Sequence, residues 1–200
     1  MRILMLGNSF TFKNDMPRML SELTGAEVVQ HTRGGACLSE HLSESTQLGA
    51  LTQPALKNGR WDFVILQEMS RGPITAPDEF FRSVSQLCEQ SRQSGALPIL
   101  YATWAYQKDS AKLTSLGIGY EEMYRRLFDA YHEAAARSGV PVADVGRRFY
   151  ELAEVCDLYS EDGFHPSEYG SRLAAELLAE TIRRERQKLQ TENAAHREDV

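Results

Sequence analysis

Residues 2–9 of the chain read RILMLGNS, a short apolar run that ends in a Gly-Asn-Ser turn. An apolar run of this length, bounded by turn residues, is typical of a buried β-strand. A side chain in the turn after such a strand can stand exposed. We therefore predict a strand over residues 2–6, followed by a turn that carries Ser9.

Four more β-rich runs follow along the chain and alternate with helical patterns. They predict strands over residues 27–31, 61–66, 97–103 and 140–145. Strands that alternate with helices in this way form a parallel sheet with helices on both faces. The predicted fold class is therefore α/β, with three layers in the order α/β/α.

Helices are predicted in segments marked by an initial proline, an amphipathic pattern or a terminal glycine. These segments are residues 17–25, 77–95, 120–138, 147–155 and 166–189. Residues 38–56 are mixed and partly helical.

The composition limits the kind of protein. The 200 residues carry a formal net charge of -6, and 42% are hydrophobic and 25% charged, a globular mixture that suits one domain. The sequence has no block of basic residues of the kind that would indicate a nucleic-acid partner. We expect the domain to span residues 1–186 and the polar stretch 187–200 to form a frayed tail.

Several other classes of protein are disfavoured. No segment is long and apolar enough to cross a membrane, and the apolar start lacks the cleavage site of a signal peptide. The three cysteines, Cys37, Cys88 and Cys156, match no zinc or redox pattern, and the histidines lack metal-ligand spacing. We expect a cytoplasmic protein with reduced thiols, no membrane contact and no metal site.

The residues that follow the predicted strands share one edge of the sheet. In open parallel sheets, ligands bind beyond the carboxyl ends of the strands. Ser9, Gly35, Gln67 and Trp104 follow strands one to four. We therefore expect these residues to lie near one another.

A serine hydroxyl is a nucleophile at neutral pH only with a base in reach, and that base needs an orienting partner. Asp162 and His165 lie just before the last helix, at the same predicted edge. Taken singly, Ser9 could be a helix cap, Asp162 a turn residue and His165 a surface side chain. Together they indicate a Ser-His-Asp site.

An acyl-transfer site also needs hydrogen-bond donors for the developing oxyanion. The candidates are the backbone N–H of Ser9, the backbone N–H of Gly35 and the side-chain amide of Gln67. Gly35 could equally be a plain loop residue, and Gln67 could simply solvate the end of a strand.

Further side chains near this edge are candidates for contact with substrate: Asn8, Glu68 and Trp104. The rings of Trp104 and Tyr106 could stack on a sugar or bound an acyl pocket, or could anchor their loop. Glu68 could instead form a salt bridge with Arg71. Arg71 could also bind a substrate carboxylate or remain solvated.

The sequence resembles the SGNH (GDSL-like) hydrolases over nearly its whole length. Residues 7–10, Gly-Asn-Ser-Phe, resemble the first block of that family, and residues 162–166, Asp-Gly-Phe-His-Pro, resemble its last block. Residues 34–38 resemble the second block, which implies an oxyanion donor at Gly35, or alternatively at Gly34. The resemblance also implies a flavodoxin-like sheet in the order 2-1-3-4-5, a Ser-His-Asp site and no metal or organic cofactor.

Two positions depart from the family pattern. Asn8 replaces the usual Asp of the first block. The third block is normally Gly-x-Asn-Asp, and its Asn is an oxyanion donor, but residues 67–70 here read Gln-Glu-Met-Ser. Gln67 is therefore the candidate to replace the missing amide.

The expected function is hydrolysis of a small-molecule ester with a small acyl group, such as acetyl on a carbohydrate. An acyltransferase would use the same residues. One alternative is a flavodoxin-like module that binds phosphate at residues 8–11, although this leaves Asp162 and His165 without a role. Another is a domain of this fold that binds a glycan without cleaving it.

Overall fold

The computed structural model describes residues 1–198 of the chain. Within this range, five strands form one parallel sheet in the order β2-β1-β3-β4-β5. The strands are β1 (Arg2–Gly7), β2 (Glu27–Thr32), β3 (Phe63–Leu66), β4 (Leu97–Tyr101) and β5 (Val142–Ala143). The α/β fold and the predicted strand order are confirmed.

Nine α-helices connect or flank these strands in the described residues. They are α1 (Ser9–Phe12), α2 (Met16–Thr24), α3 (Gln47–Asn58), α4 (Gly72–Thr75), α5 (Pro77–Gln93), α6 (Ala111–Thr114), α7 (Tyr120–Ser138), α8 (Val145–Leu152) and α9 (Glu168–Glu198). Two short 3-10 segments span Lys13–Asp15 and Leu38–Leu42.

Several helix ends follow from local sequence signals. Gly25 and Gly139 adopt left-handed φ values of 65° and 61° as the C-caps of α2 and α7, a conformation that glycine adopts without steric cost. The one-turn helices α4 and α6 were not predicted, since four residues are too few to show a helical period.

The last helix is longer than the sequence pattern predicts. α9 extends to Glu198, so it includes residues 187–198 of the stretch expected to be a frayed tail. Residues 199–200 lie outside the described residues. The inner face of α9 is buried at Ala174, Ala175, Leu178 and Ile182.

The sheet is covered on both faces. α2 packs against α9, whereas α5 packs against both α3 and α7. The central residues 3–6 of β1 and 64–66 of β3 are completely buried, as expected for strands between two helical layers. No helix within residues 1–198 is long and apolar enough to span a bilayer.

Candidate functional site

The turn after β1 places Ser9 at the first position of α1. Asn8 is the N-cap of this helix, and its side-chain Oδ1 accepts the Phe10 N–H at 3.1 Å. Its Nδ2 donates to the carbonyl of Ala36 at 3.0 Å, which ties the turn to the loop after β2. Asn8 therefore holds the Ser9 turn in position, while part of its surface lines the cavity described below.

Gly7 is required where the ends of β1 and β3 meet. A Cβ atom at this position would lie 2.5 Å from Gln67 Oε1 and 2.6 Å from Thr11 Oγ1. Only glycine allows the Gln67 side chain to cross beneath the turn this closely.

The loop before α9 is organised by the carboxylate of Asp162. Its Oδ1 accepts the backbone N–H groups of Phe164 at 3.1 Å and His165 at 2.9 Å, and the hydroxyl of Ser160 at 3.0 Å. Burial alone would raise the pKa of Asp162, but these hydrogen bonds and the one from the His165 ring hold the pKa well below its usual value. The carboxylate is therefore charged at neutral pH.

Three side chains form a continuous hydrogen-bonded chain. Asp162 Oδ2 lies 2.6 Å from His165 Nδ1, and His165 Nε2 lies 2.8 Å from Ser9 Oγ. With Nδ1–H donating to the carboxylate, Nε2 is the acceptor for the Ser9 hydroxyl. The structure thus brings together the three residues that the sequence predicts as a Ser-His-Asp site.

Trp104 supports the loop that carries His165. The indole is completely buried and stacks between Phe10, at a centroid distance of 4.5 Å, and Phe149, at 4.1 Å. Its Nε1 donates to the carbonyl of Phe164 at 3.0 Å. Trp104 is not among the residues that line the cavity, so the predicted contact between its ring and substrate is corrected to a supporting role.

A cavity of about 590 Å³ opens in front of Ser9 and His165. Phe10, Met69, Leu116 and Phe164 contribute apolar surface to its walls. A volume of this size is typical of small-molecule sites. Within the described residues, no group of three or more His, Cys, Asp or Glu side chains could hold a metal ion.

Two of the three predicted oxyanion donors, the backbone N–H groups of Ser9 and Gly35, belong to residues at the cavity. Gly35 has a φ of 67° in a turn closed by the Ala36 N–H and the Arg33 carbonyl at 3.1 Å. In the described part of the chain, no hydrogen bond engages the N–H of either Ser9 or Gly35.

Gln67 does not reach the cavity. Its side chain is completely buried, and its Oε1 accepts the Asn8 N–H and the Thr11 hydroxyl, each at 2.9 Å. Its Nε2 donates to the carbonyl of Glu68 at 2.5 Å. The predicted oxyanion role of Gln67 is therefore corrected: its amide braces the turn beneath Ser9.

Glu68 is likewise buried, with 3% of its surface exposed. Its carboxylate accepts the N–H of Met69 at 2.6 Å and that of Leu38 at 3.2 Å, which joins the loops after β3 and β2. Burial raises the pKa of Glu68 to about 7 although these hydrogen bonds favour the charged form. It lines no part of the cavity, and the predicted contact with substrate is corrected accordingly.

Other cavity residues were not predicted from the sequence. Lys13, Ser70, Lys112 and Ser115 all line it. The position of Lys13 could have been inferred from the sequence, since it lies four residues after Ser9 and would share one face of a helix with it. Those of Lys112 and Ser115 could not, because they belong to the unpredicted helix α6 and the residue after it.

The chain is similar to known hydrolases. Residues 78–178 match the family model of the GDSL-like Lipase/Acylhydrolase. A solved structure of a proposed SGNH hydrolase from Slackia heliotrinireducens is 53% identical, with a TM-score of 0.88, and the match covers 91% of this chain and 98% of that chain.

Two more distant structures share the fold. A lipase/acylhydrolase from Enterococcus faecalis is 14% identical, with a TM-score of 0.68, over 91% of this chain and 95% of that chain. A mutant of an acetyl-xylooligosaccharide esterase from Geobacillus stearmophilus is 13% identical, with a TM-score of 0.65, over 90% of this chain and 93% of that chain.

No curated protein matches the chain significantly. The family model nevertheless spans half of the chain, and the 53% identical relative matches nearly all of it. The chain therefore belongs to the GDSL-like lipase/acylhydrolase family, the SGNH hydrolases.

Proposed function

We propose that this protein is a serine esterase that hydrolyses a carboxylic ester of a small acyl group, with Ser9, His165 and Asp162 as its catalytic triad. The observation that carries the proposal is the hydrogen-bonded chain from Asp162 Oδ2 through His165 to Ser9 Oγ, at 2.6 and 2.8 Å. This series of hydrogen bonds ends at Ser9, which faces a cavity that a substrate can enter.

The first half-reaction forms an acyl-enzyme. His165 Nε2 takes the proton of Ser9 Oγ while that oxygen attacks the ester carbonyl carbon. The carbonyl oxygen becomes an oxyanion, which the N–H groups of Ser9 and Gly35 stabilise. The tetrahedral intermediate then collapses, the carbon–oxygen bond to the alcohol breaks, and His165 donates its proton to the leaving alcohol.

The second half-reaction regenerates the enzyme. His165 removes a proton from a water molecule, and the hydroxide attacks the acyl carbon. Collapse of the second tetrahedral intermediate releases the carboxylic acid and returns the proton to Ser9 Oγ. Throughout both steps Asp162 fixes the tautomer of His165 and stabilises its protonated form.

The size of the acyl group and the class of alcohol form the finer part of the proposal. The cavity walls include hydroxyl groups from Ser70, Tyr106 and Ser115. Ser70 and Tyr106 pair with each other at 2.7 Å, and Ser115 donates to the Lys112 carbonyl at 2.7 Å. Their oxygens retain lone pairs that can accept from the hydroxyls of a carbohydrate, whereas a long alkyl chain offers no donor. A small acyl group such as acetyl, carried on a carbohydrate or a similar small molecule, fits these walls.

A fluorophosphonate probe tests the nucleophile. We expect a covalent adduct at Ser9, located by mass spectrometry, that disappears in Ser9→Ala. Ser115→Ala is the matched control, because Ser115 also lines the cavity and its loss should leave the adduct in place. A folded protein without an adduct at Ser9 would contradict the triad and favour a non-catalytic binding domain.

The acyl group is tested with p-nitrophenyl acetate and p-nitrophenyl octanoate. We expect a higher kcat/KM for the acetate. A strong preference for the octanoate would exclude the small acyl group while leaving the esterase proposal intact. Product analysis with an added alcohol acceptor then separates hydrolysis from acyl transfer.

A further inference from the structure

Three cationic side chains line the cavity around Ser9: Lys13, Arg71 and Lys112. No Asp or Glu is among its described lining residues. The chain as a whole has the opposite balance, with 28 acidic and 22 basic residues. The site is therefore a locally positive region on a negatively charged protein.

The salt bridges among the described side chains do not involve these cations. Where the structure describes the side chains, none of the three forms an ion pair. Lys112 Nζ instead lies 4.8 Å from the centroid of the Phe164 ring, next to His165. Its charge is thus held close to the reacting groups by a cation–π contact.

The fold brings the three cations to the cavity from separate segments. Lys13 directly follows α1, which begins at Ser9; Arg71 follows β3; and Lys112 lies in α6, after β4. Each segment lies at the carboxyl end of a parallel strand. The positive charge therefore arises from the same topology that assembles the triad.

Arg71 also acts on neutral polar groups in the cavity. The Ser70 hydroxyl lies 2.7 Å from the Tyr106 hydroxyl. Burial raises the pKa of the Tyr106 phenol, and both the hydrogen bond with Ser70 and the positive charge of Arg71 oppose this shift. An anionic group beside Arg71 would find hydrogen-bond donors as well as a cation.

We infer that the ester hydrolysed at this site carries an anionic group, a carboxylate or a phosphate, which Lys13, Arg71 and Lys112 bind. Ammonium and guanidinium groups donate charge-assisted hydrogen bonds to both kinds of anion. A cavity lined with one sign of charge also concentrates ligands of the opposite sign. This inference rests on the proposed esterase function and specifies its substrate class.

Two matched pairs of acetyl esters test the inference. The carboxylate pair is 3-(4-acetoxyphenyl)propanoate and the neutral 3-(4-acetoxyphenyl)propanamide. The phosphate pair is 2-(4-acetoxyphenyl)ethyl phosphate and the neutral 2-(4-acetoxyphenyl)ethanol. All four release a phenol of nearly the same acidity, so a difference in kcat/KM within a pair reports recognition of the charge.

We expect kcat/KM to be higher for the anionic member of at least one pair by a factor on the order of ten in a low-salt buffer. Exposed ion pairs each contribute a factor of about 1.4 to 5, and three cations act together here. The preference should shrink in about 0.5 M NaCl because salt screens exposed charges. The pair with the larger preference identifies carboxylate or phosphate as the recognised group.

In the variant Lys13→Gln/Arg71→Gln/Lys112→Gln, the ratio of kcat/KM for the anionic ester to kcat/KM for its neutral partner should fall most of the way to one. Lys57→Gln is the matched control, since Lys57 is an exposed lysine of α3 that does not line the cavity. We expect it to keep the wild-type ratio. A ratio near one in the wild type, or an unchanged ratio in the triple variant, would overturn the inference.

The same assay separates failure of the inference from failure of the proposed function. If the neutral esters are turned over, Ser9 is labelled and no anion preference is found, only the inference is wrong. If no ester is turned over and the fluorophosphonate does not label Ser9, both the esterase function and the inference are wrong.

Discussion

At the scale of single residues, the charge of Asp162 has a specific role in the proposed mechanism. Its Oδ1 receives three hydrogen bonds from its own loop, and its Oδ2 contacts the His165 ring. One oxygen therefore maintains the loop and the other maintains the imidazole tautomer. A substitution that removes the negative charge but keeps an acceptor oxygen separates the effect on His165 from the effect on the loop.

We expect Asp162→Asn to lower kcat for p-nitrophenyl acetate by about 10³ to 10⁴ at pH 7. The asparagine can still accept loop hydrogen bonds, but an amide N–H facing Nδ1 favours the wrong imidazole tautomer. Asp157→Asn is the control, because Asp157 is an exposed carboxylate near the same loop. Activity within tenfold of wild type in Asp162→Asn would argue against its role in the triad.

Residues that follow a strand do not all face the site. Gln67 and Glu68 directly follow β3 and are buried, whereas Met69, Ser70 and Arg71 line the cavity. The chain thus continues through the core for two residues beyond the strand before it reaches the cavity. The sequence does not reveal where this transition lies, because the end of an apolar run does not show how deeply the following residues are buried.

At the scale of elements, the loop before α9 is held by contacts with the segment after β4. Trp104 Nε1 donates to the Phe164 carbonyl at 3.0 Å, and the Gln107 N–H donates to the Gly163 carbonyl at 2.7 Å. Gly163 has a φ of 71°, and a Cβ there would lie 2.6 Å from Ser110 Cβ. The position of His165 therefore depends on how closely these two loops pack.

We expect Trp104→Phe to destabilise the protein by about 1–3 kcal/mol and to lower kcat while KM changes little. The phenyl ring can preserve the stack with Phe10 and Phe149, but the Phe164 carbonyl loses its donor. Urea unfolding and steady-state kinetics measure the two effects. A raised KM with unchanged kcat would instead indicate that Trp104 contacts substrate.

Trp61→Phe is the matched control for this change. Trp61 Nε1 also donates to a carbonyl, that of Ala55 at 2.8 Å, but just before β3 at the opposite end of the sheet. Trp61→Phe should lower the free energy of unfolding about as much as Trp104→Phe does, and it should leave kcat unchanged. An equal fall in kcat in both variants would mean that lost stability, and not loop position, explains the effect.

At the scale of the whole molecule, Glu68 links folding to pH. The buried carboxylate joins the loops after β2 and β3, and burial raises its pKa from 4.5 to about 7. Because the folded-state pKa lies above the unfolded value, the protonated form stabilises the folded state. This stabilisation is complete below about pH 4.5 and is lost as the pH rises through about 7.

We expect the stability of wild type relative to Glu68→Gln to fall by on the order of 2 kcal/mol between pH 5 and pH 8, since the glutamine does not titrate. Urea unfolding of both proteins across this range measures the difference. Glu44→Gln, at an exposed position, should follow the wild-type pH dependence. Parallel curves for wild type and Glu68→Gln would show that Glu68 does not titrate in this range.

The sequence alone determined the alternation of strands and helices, the Ser9 turn and the Asp162–His165 loop. These features depend on contacts between residues close in the chain: apolar periodicity, N-caps, terminal glycines and short Asx turns. The family resemblance added the strand order, which the structure confirms. Single-turn helices escaped prediction because they offer too few residues for a period to appear.

Only the tertiary structure decided which polar side chains meet at the cavity. The 2.8 Å contact between Ser9 and His165 joins residues 156 positions apart. The tertiary structure also places Gln67, Glu68 and Trp104 in the protein interior, and it brings Lys13, Arg71 and Lys112 to the cavity around Ser9. The physical reason is that the direction of a side chain beyond the end of a strand is set by the packing of neighbouring loops, and the local sequence does not encode that packing.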